Sequence, residues 1–143
     1  MQKIIRMLSA LLCVAAFAFV FMPSASYTED KDTILLARTI YALGKDESYA
    51  TKLALGSVVM NRVESPWFAD DLGDVLRDQQ QFPAGSRYDG DSLRAAHALI
   101  SGKRTLDGNA LYYQAADASN PWGDAWRVAS VGNYNFYSMS GNI

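Results

Sequence analysis

The chain has 143 residues, with 13 basic and 15 acidic side chains, one histidine and one cysteine. A slightly acidic chain lacks the basic face by which nucleic-acid binders and polybasic membrane-surface proteins are known. A lone histidine and a lone cysteine also exclude histidine-rich zinc sites and internal disulfides.

The first segment reads as an address rather than as fold. Lys3 and Arg6 precede an unbroken apolar run, Met7 to Met22, and Pro23-Ser24-Ala25-Ser26 follows. A positive start, an apolar stretch and a small-residue exit define a secretory signal peptide, with cleavage expected after Ser26. A retained anchor is the weaker alternative, because the 16-residue run is short for a membrane span. Cys13 lies deep in that run, preceded by two leucines, which argues against a lipoprotein. The expected division is therefore residues 1–26 as signal and 27–143 as one domain, secreted, extracytoplasmic or associated with the cell wall. That domain carries 11 basic against 15 acidic side chains, a net charge of −4, and no cysteine. Cysteine-nucleophile mechanisms are thereby excluded, and only an uncleaved signal would bring a membrane into play.

In chain order, Ser26 followed by Glu29 resembles a helix entry. Ile34, Leu35, Ala37, Ile40 and Tyr41 then continue near helical spacing, with a stop at Gly44. A second helix is expected from Asp46 or Ser48. Its wide apolar set, from Ala50 through Leu53, Ala54 and Val58 to Val63, predicts the central, most buried helix. Ser65-Pro66 ends it, since the residue before proline is driven out of helical geometry. A short helix is predicted over Leu72–Arg77. Asp78–Asp91, with Pro83, Gly85 and Gly90, is aperiodic and reads as a long functional loop. Asp91 or Ser92 caps a further helix, Leu93–Ser101, closed by Gly102. Ala110–Ala115 predicts a strand, and Arg127–Ser138 a hairpin turning at Gly132-Asn133. Helices followed by short strands make an α+β domain.

Among the carboxylates, Glu47 stands apart. It lies at a helix entrance with no basic neighbour at helical spacing on its C-terminal side. Two readings stay open: a proton donor, or a residue that favours the positive end of the second helix. Asp46 reads as a cap or turn residue. Asp70, Asp71 and Asp74 read as acids at the start of a short helix, and Asp78 as an outside candidate for a base. His97, in an alanine-rich helical pattern, reads as a packing residue.

These segments, taken together, resemble a known family. LLARTIYALGKDESYATKLALGSVVMNRVESPWF is similar to the opening of the SleB/CwlJ-type cell-wall hydrolases, the spore-cortex-lytic enzymes, which read LLAR-x-IYAEARGE-x-YEGQ-x-AVGAVVLNRV-x-S-x-F. The likeness continues through Gln81-Phe82, through Arg94-Ala95-Ala96-His97-Ala98-Leu99 and Gly108-Asn109-Ala110-Leu111-Tyr112-Tyr113, and through Val131-Gly132-Asn133-Tyr134-Asn135-Phe136-Tyr137. Two departures stand out. Leu43 occupies the place of the first glutamate of EARGE, the one usually taken as catalytic, and only the second survives, as Glu47. The histidine of the late G-N-H motif has become Tyr134.

The resemblance implies a lysozyme-like or lytic-transglycosylase-like helical domain with a small C-terminal antiparallel β-sheet, acting on the glycan strands of peptidoglycan without a metal or cofactor. Cleaving a glycosidic bond needs a protonated carboxyl at the leaving oxygen, and leucine cannot supply one. Glu47 is then the catalytic candidate. Amides that bond sugar hydroxyls and aromatic rings that face sugar rings make Gln81, Tyr112, Gln114 and Tyr134 the substrate-binding candidates. Asn61 and Arg62, which match the family's NR, are expected to support the site. The alternative is a non-catalytic member that binds peptidoglycan or regulates a partner hydrolase or other accessory protein.

Overall fold

The computed structural model describes residues 30–119 and 123–138. The segment expected as a signal peptide and the expected Ser26–Glu29 helix entry lie outside these residues. The observed elements are α1 (Lys31–Gly44), α2 (Tyr49–Glu64), α3 (Leu72–Val75), α4 (Gly90–Ile100), β1 (Ala110–Ala115), a short 3-10 turn (Asp124–Trp126), β2 (Arg127–Val131) and β3 (Tyr134–Ser138).

Helix α2 is the axis of the molecule. Every residue from Thr51 to Val59 is buried, as a helix apolar over most of its circumference requires. Leu36 and Ile40 of α1, and Ala95, Ala96 and Leu99 of α4, pack around its Leu55, Val58 and Val59. Gly56 permits the close approach: a Cβ there would stand 2.3 Å from Leu99 Cδ1 and 2.9 Å from Ile40 Cδ1. The helix starts where serine can cap it, Ser48 Oγ accepting from the Thr51 amide at 3.2 Å.

Helix α4 begins earlier than the sequence pattern places it. Its cap is Asp89, not Asp91 or Ser92, with the Ser92 amide donating to Asp89 Oδ1 at 2.7 Å. The choice is tertiary. Lys52, 2% exposed on α2, donates to the other oxygen of Asp89 at 2.8 Å, so one carboxylate both caps α4 and neutralises a buried ammonium. Partial burial pushes the Asp89 carboxyl up, but the bonds from Lys52 and Ser92 outweigh it and bring it down to about 2. A carboxylate depressed on folding contributes stability above its unfolded value and loses it as pH falls through the folded one. The wild-type melting temperature is therefore expected to fall between about pH 4 and pH 2. An Asp89→Asn variant, already less stable at neutral pH, converges on it there. A thermal-melt series across that window that keeps the two curves parallel would rule out the linkage.

The three strands form an antiparallel sheet in the order β1-β3-β2. The register sets Tyr113 opposite Phe136 and Phe136 opposite Ala129, and these three pack toward the helices. Alternation then puts Gln114, Asn135 and Ser130 on the other face. There Ser130 Oγ bonds Asn135 Oδ1 at 2.7 Å. The pairing of Ala115 with Tyr134 has a consequence for function: it brings the exit of β1 beside the Gly132-Asn133 turn.

Candidate active site

Helix α1 ends at Gly44, and the Glu47 amide donates back to the Gly44 carbonyl at 3.1 Å. This tight connection places Glu47 just before the cap of α2, half-buried, and separates it from Leu43 by a break in the helix. From 86 residues away, Asn133 Nδ2 donates to Glu47 Oε1 at 2.8 Å. Glu47, Asn133 and Tyr134, together with Ala115, Ala116 and Asp117 at the exit of β1, line an open cleft of about 220 Å³.

The hairpin turn is pressed onto this carboxyl. Gly132 has φ +55°, and a Cβ on it would lie 2.3 Å from Thr51 Oγ1 and 2.9 Å from Glu47 Oε2. Left-handed backbone and lack of space both demand glycine. Gly132→Ala is accordingly expected to destabilise the domain by about 1–3 kcal/mol and to displace Asn133 from Glu47. Denaturant unfolding checks the first effect, and a melting midpoint equal to wild type would contradict it.

Tyr134 closes the base of the wall. Its hydroxyl donates to the Leu43 carbonyl at 2.7 Å. Burial pushes this phenol up, and the Glu47 carboxylate adds to the effect, so Tyr134 remains a donor. Leu43 itself packs at the margin of the core.

The remaining candidates gather at a second centre, around Arg62. This guanidinium is 2% exposed. Its Nε donates to the Leu111 carbonyl at 2.7 Å and its Nη2 to Gln81 Oε1 at 3.0 Å. It lies 4.7 Å from the ring centre of Phe68, 4.9 Å from that of Phe82 and 5.1 Å from that of Tyr112. Asp78 approaches at 3.9 Å from the solvent side. Burial pulls Arg62 below its ordinary value, while Tyr112 and Asp78 counteract it. Next to it, Asn61 Nδ2 donates to the carbonyls of Asp107 and Ala110 at 2.8 and 3.1 Å. The Tyr113 hydroxyl bonds the Gln81 carbonyl, and burial pushes that phenol up to about 12.

The sequence candidates thus divide. Glu47 and Tyr134 line the cleft. Gln81 and Tyr112 stand at Arg62, where the Gln81 side-chain oxygen is already engaged. Asn61 and Arg62 fasten the start of β1 to α2. Gln114 lies on the opposite sheet face from Ala115, and its Oε1 is buried with no partner among the described residues. Asn133 was legible as a turn residue and as part of the late G-N-H motif, and Asp117 carried no signal, because the register that brings Asn133 to Glu47 and Asp117 into the same cleft cannot be read from local pattern. Among the described residues no three His, Cys, Asp or Glu side chains are grouped to hold a metal ion, and no helix is long and apolar enough to cross a membrane.

Three helices wrapped on a central one, with a small antiparallel sheet closing a carboxylate-bearing cleft, make a lysozyme-like α+β domain. Two solved structures share it. The catalytic domain of the Bacillus cereus SleB protein aligns with a TM-score of 0.66 at 24% identity, over 75% of this chain and 89% of that one. The catalytic domain of the germination-specific lytic transglycosylase SleB from Bacillus anthracis aligns with a TM-score of 0.60 at 22% identity, over 78% and 98%. Residues 46–137, more than half of the chain, match the family model described as Cell Wall Hydrolase. The chain belongs to this family, the SleB/CwlJ type. It is 30% identical over 99 residues to the spore cortex-lytic enzyme of Bacillus subtilis, covering 65% of this chain and 32% of that protein. It is 31% identical over 114 residues to that of Bacillus cereus, covering 73% and 43%. The chain therefore spans less than half the length of these relatives.

Proposed function

We propose that this protein is a secreted enzyme that cleaves the glycan strands of bacterial peptidoglycan, with Glu47 as its single general acid. The observation that carries the reading is the Glu47 carboxyl, held at the cleft wall by Asn133 Nδ2 at 2.8 Å. With Oε1 accepting that bond, Oε2 is the oxygen left to carry the proton delivered to the glycosidic oxygen. Bond cleavage then expels the leaving sugar as an alcohol, and Glu47 is left as carboxylate. Tyr134 provides the aromatic edge against which a sugar ring can rest. Arg62, Asn61, Gln81 and Tyr112 serve this site from behind, by fixing β1 and the 78–89 loop relative to α2.

Leu43 favours one other reading. An aliphatic side chain at the place of the first glutamate in the EARGE motif that the sequence resembles fits a member that binds the wall, or modulates a partner hydrolase, without cutting it. One experiment separates the two: purified protein incubated with purified peptidoglycan, followed by assay of soluble muropeptides and of protein sedimenting with the wall. Release of fragments supports catalysis. Sedimentation without release establishes the binding role instead.

A further inference from the structure

Glu47 lies where α1 ends and α2 begins, and the Lys52–Asp89 bond ties the start of α4 to the same end of the helical bundle. A ribbon of arginine and tyrosine crosses this end. Gly85 rests directly on α1, where a Cβ on it would stand 2.1 Å from the Arg38 carbonyl oxygen. The chain then follows the helix, and Arg87 lies over the Tyr41 ring, 6.0 Å from its centre and about one turn beyond Arg38. Tyr88, 39% exposed, comes next, and then the Asp89 cap. One turn into α4, Arg94 lies over the Tyr49 ring, 4.1 Å from its centre. Tyr49 is two residues from Glu47, within about 7 Å along the chain.

The ribbon is basic on an acidic chain. Arg38, Lys52, Arg87 and Arg94 stand against Asp89 and Asp91, and Lys45 and Asp46 cancel beside them. Asp89 is committed to Lys52 and to the α4 cap, and Asp91 to Arg94 Nη2 at 3.1 Å. Among the described residues, Arg38 and Arg87 have no carboxylate partner. A guanidinium over an aromatic ring keeps the N–H donors on its edge, and these match the oxygens of a carboxylate.

We infer that this ribbon binds the acidic peptides that peptidoglycan carries along its glycan, with Arg87 and Arg94 receiving peptide carboxylates. This rests on peptidoglycan being the substrate, and it makes the protein selective for glycan that bears peptides over glycan stripped of them. The sugar chain occupies the cleft at Glu47 and Tyr134, and the peptide leaves it across Tyr49.

The test uses soluble, uncross-linked peptidoglycan strands, either intact or stripped of peptide by an amidase. Their binding to the Glu47→Gln protein is titrated, and their cleavage by wild type is followed in parallel. Stripping is expected to weaken binding about tenfold, the combined effect of two exposed ion pairs. Arg87→Ala and Arg94→Ala, added together to Glu47→Gln, are expected to weaken binding of intact strands to the same degree. Both side chains are exposed, so affinity for stripped strands is expected to stay the same. Equal affinity of the Glu47→Gln protein for intact and stripped strands would overturn the inference. So would a dependence on peptide that survives loss of both arginines, or a dependence on phosphate-bearing wall polymer in place of peptide. Cleavage by wild type in any of these cases keeps Glu47 as the acid. Peptide-dependent binding that needs the arginines, without cleavage by wild type, would sustain the ribbon and overturn the catalytic reading.

Discussion

Glu47→Gln is expected to reduce release of soluble muropeptides by about 10²–10⁴-fold, the usual contribution of a general acid, while sedimentation with insoluble wall persists. Glutamine preserves what the structure shows to be structural about this position. It matches the shape that fits against Gly132 and Thr51, and its oxygen can still accept from Asn133 Nδ2. It lacks only an acidic proton. A loss of release together with a loss of wall binding would point to a collapsed cleft, and the unchanged melting temperature expected of an isosteric change checks for that. Release at the wild-type rate would remove Glu47 from the chemistry. The wall-binding reading shares the first outcome only if wild type also releases nothing, so the wild-type measurement decides between them.

The second large effect concerns stability. Arg62→Ala is expected to destabilise the domain by about 3–5 kcal/mol. The loss does not come from the ion pair, because Asp78 is half-exposed and 3.9 Å away and returns to water at little cost. It comes from leaving the Leu111 carbonyl and Gln81 Oε1 without their donor, and from the void beneath Phe68, Phe82 and Tyr112. Arg62→Lys is expected to recover less than half of this, since one ammonium cannot reproduce a planar fork that bonds two carbonyls while stacking on rings. Thermal melts followed by circular dichroism would register a fall of at least ~10 °C for the alanine variant. A variant within ~1 kcal/mol of wild type would show that β1 is held by Asn61 alone.

Much of the architecture was legible beforehand. The breadth of the apolar set around Leu53, Ala54 and Val58 marked α2 as central, since a helix without a polar face must be enclosed. Ser48, Pro66 and the Gly132-Asn133 turn marked ends and reversals through local backbone chemistry, which operates within a few residues. The α4 entry went differently. Asp91 and Ser92 are as suitable for capping as Asp89, and only the buried Lys52 from another helix favours the third. Arginine and asparagine are commonly surface residues, so nothing in the MNRV stretch disclosed that Arg62 and Asn61 are among the most buried side chains of the domain.

By itself, then, the sequence determined the helices, the strands, the central position of α2 and the segment that marks the family, because periodicity, capping and turn chemistry are local. Only the tertiary structure decided which groups meet: Asn133 with Glu47 across 86 residues, Arg62 with Leu111 across 49, and the Ala116 amide with the Asn133 carbonyl of the hairpin turn. Such pairings depend on strand register and helix packing, which are fixed by the combined burial of many side chains and leave no trace in any short stretch of chain.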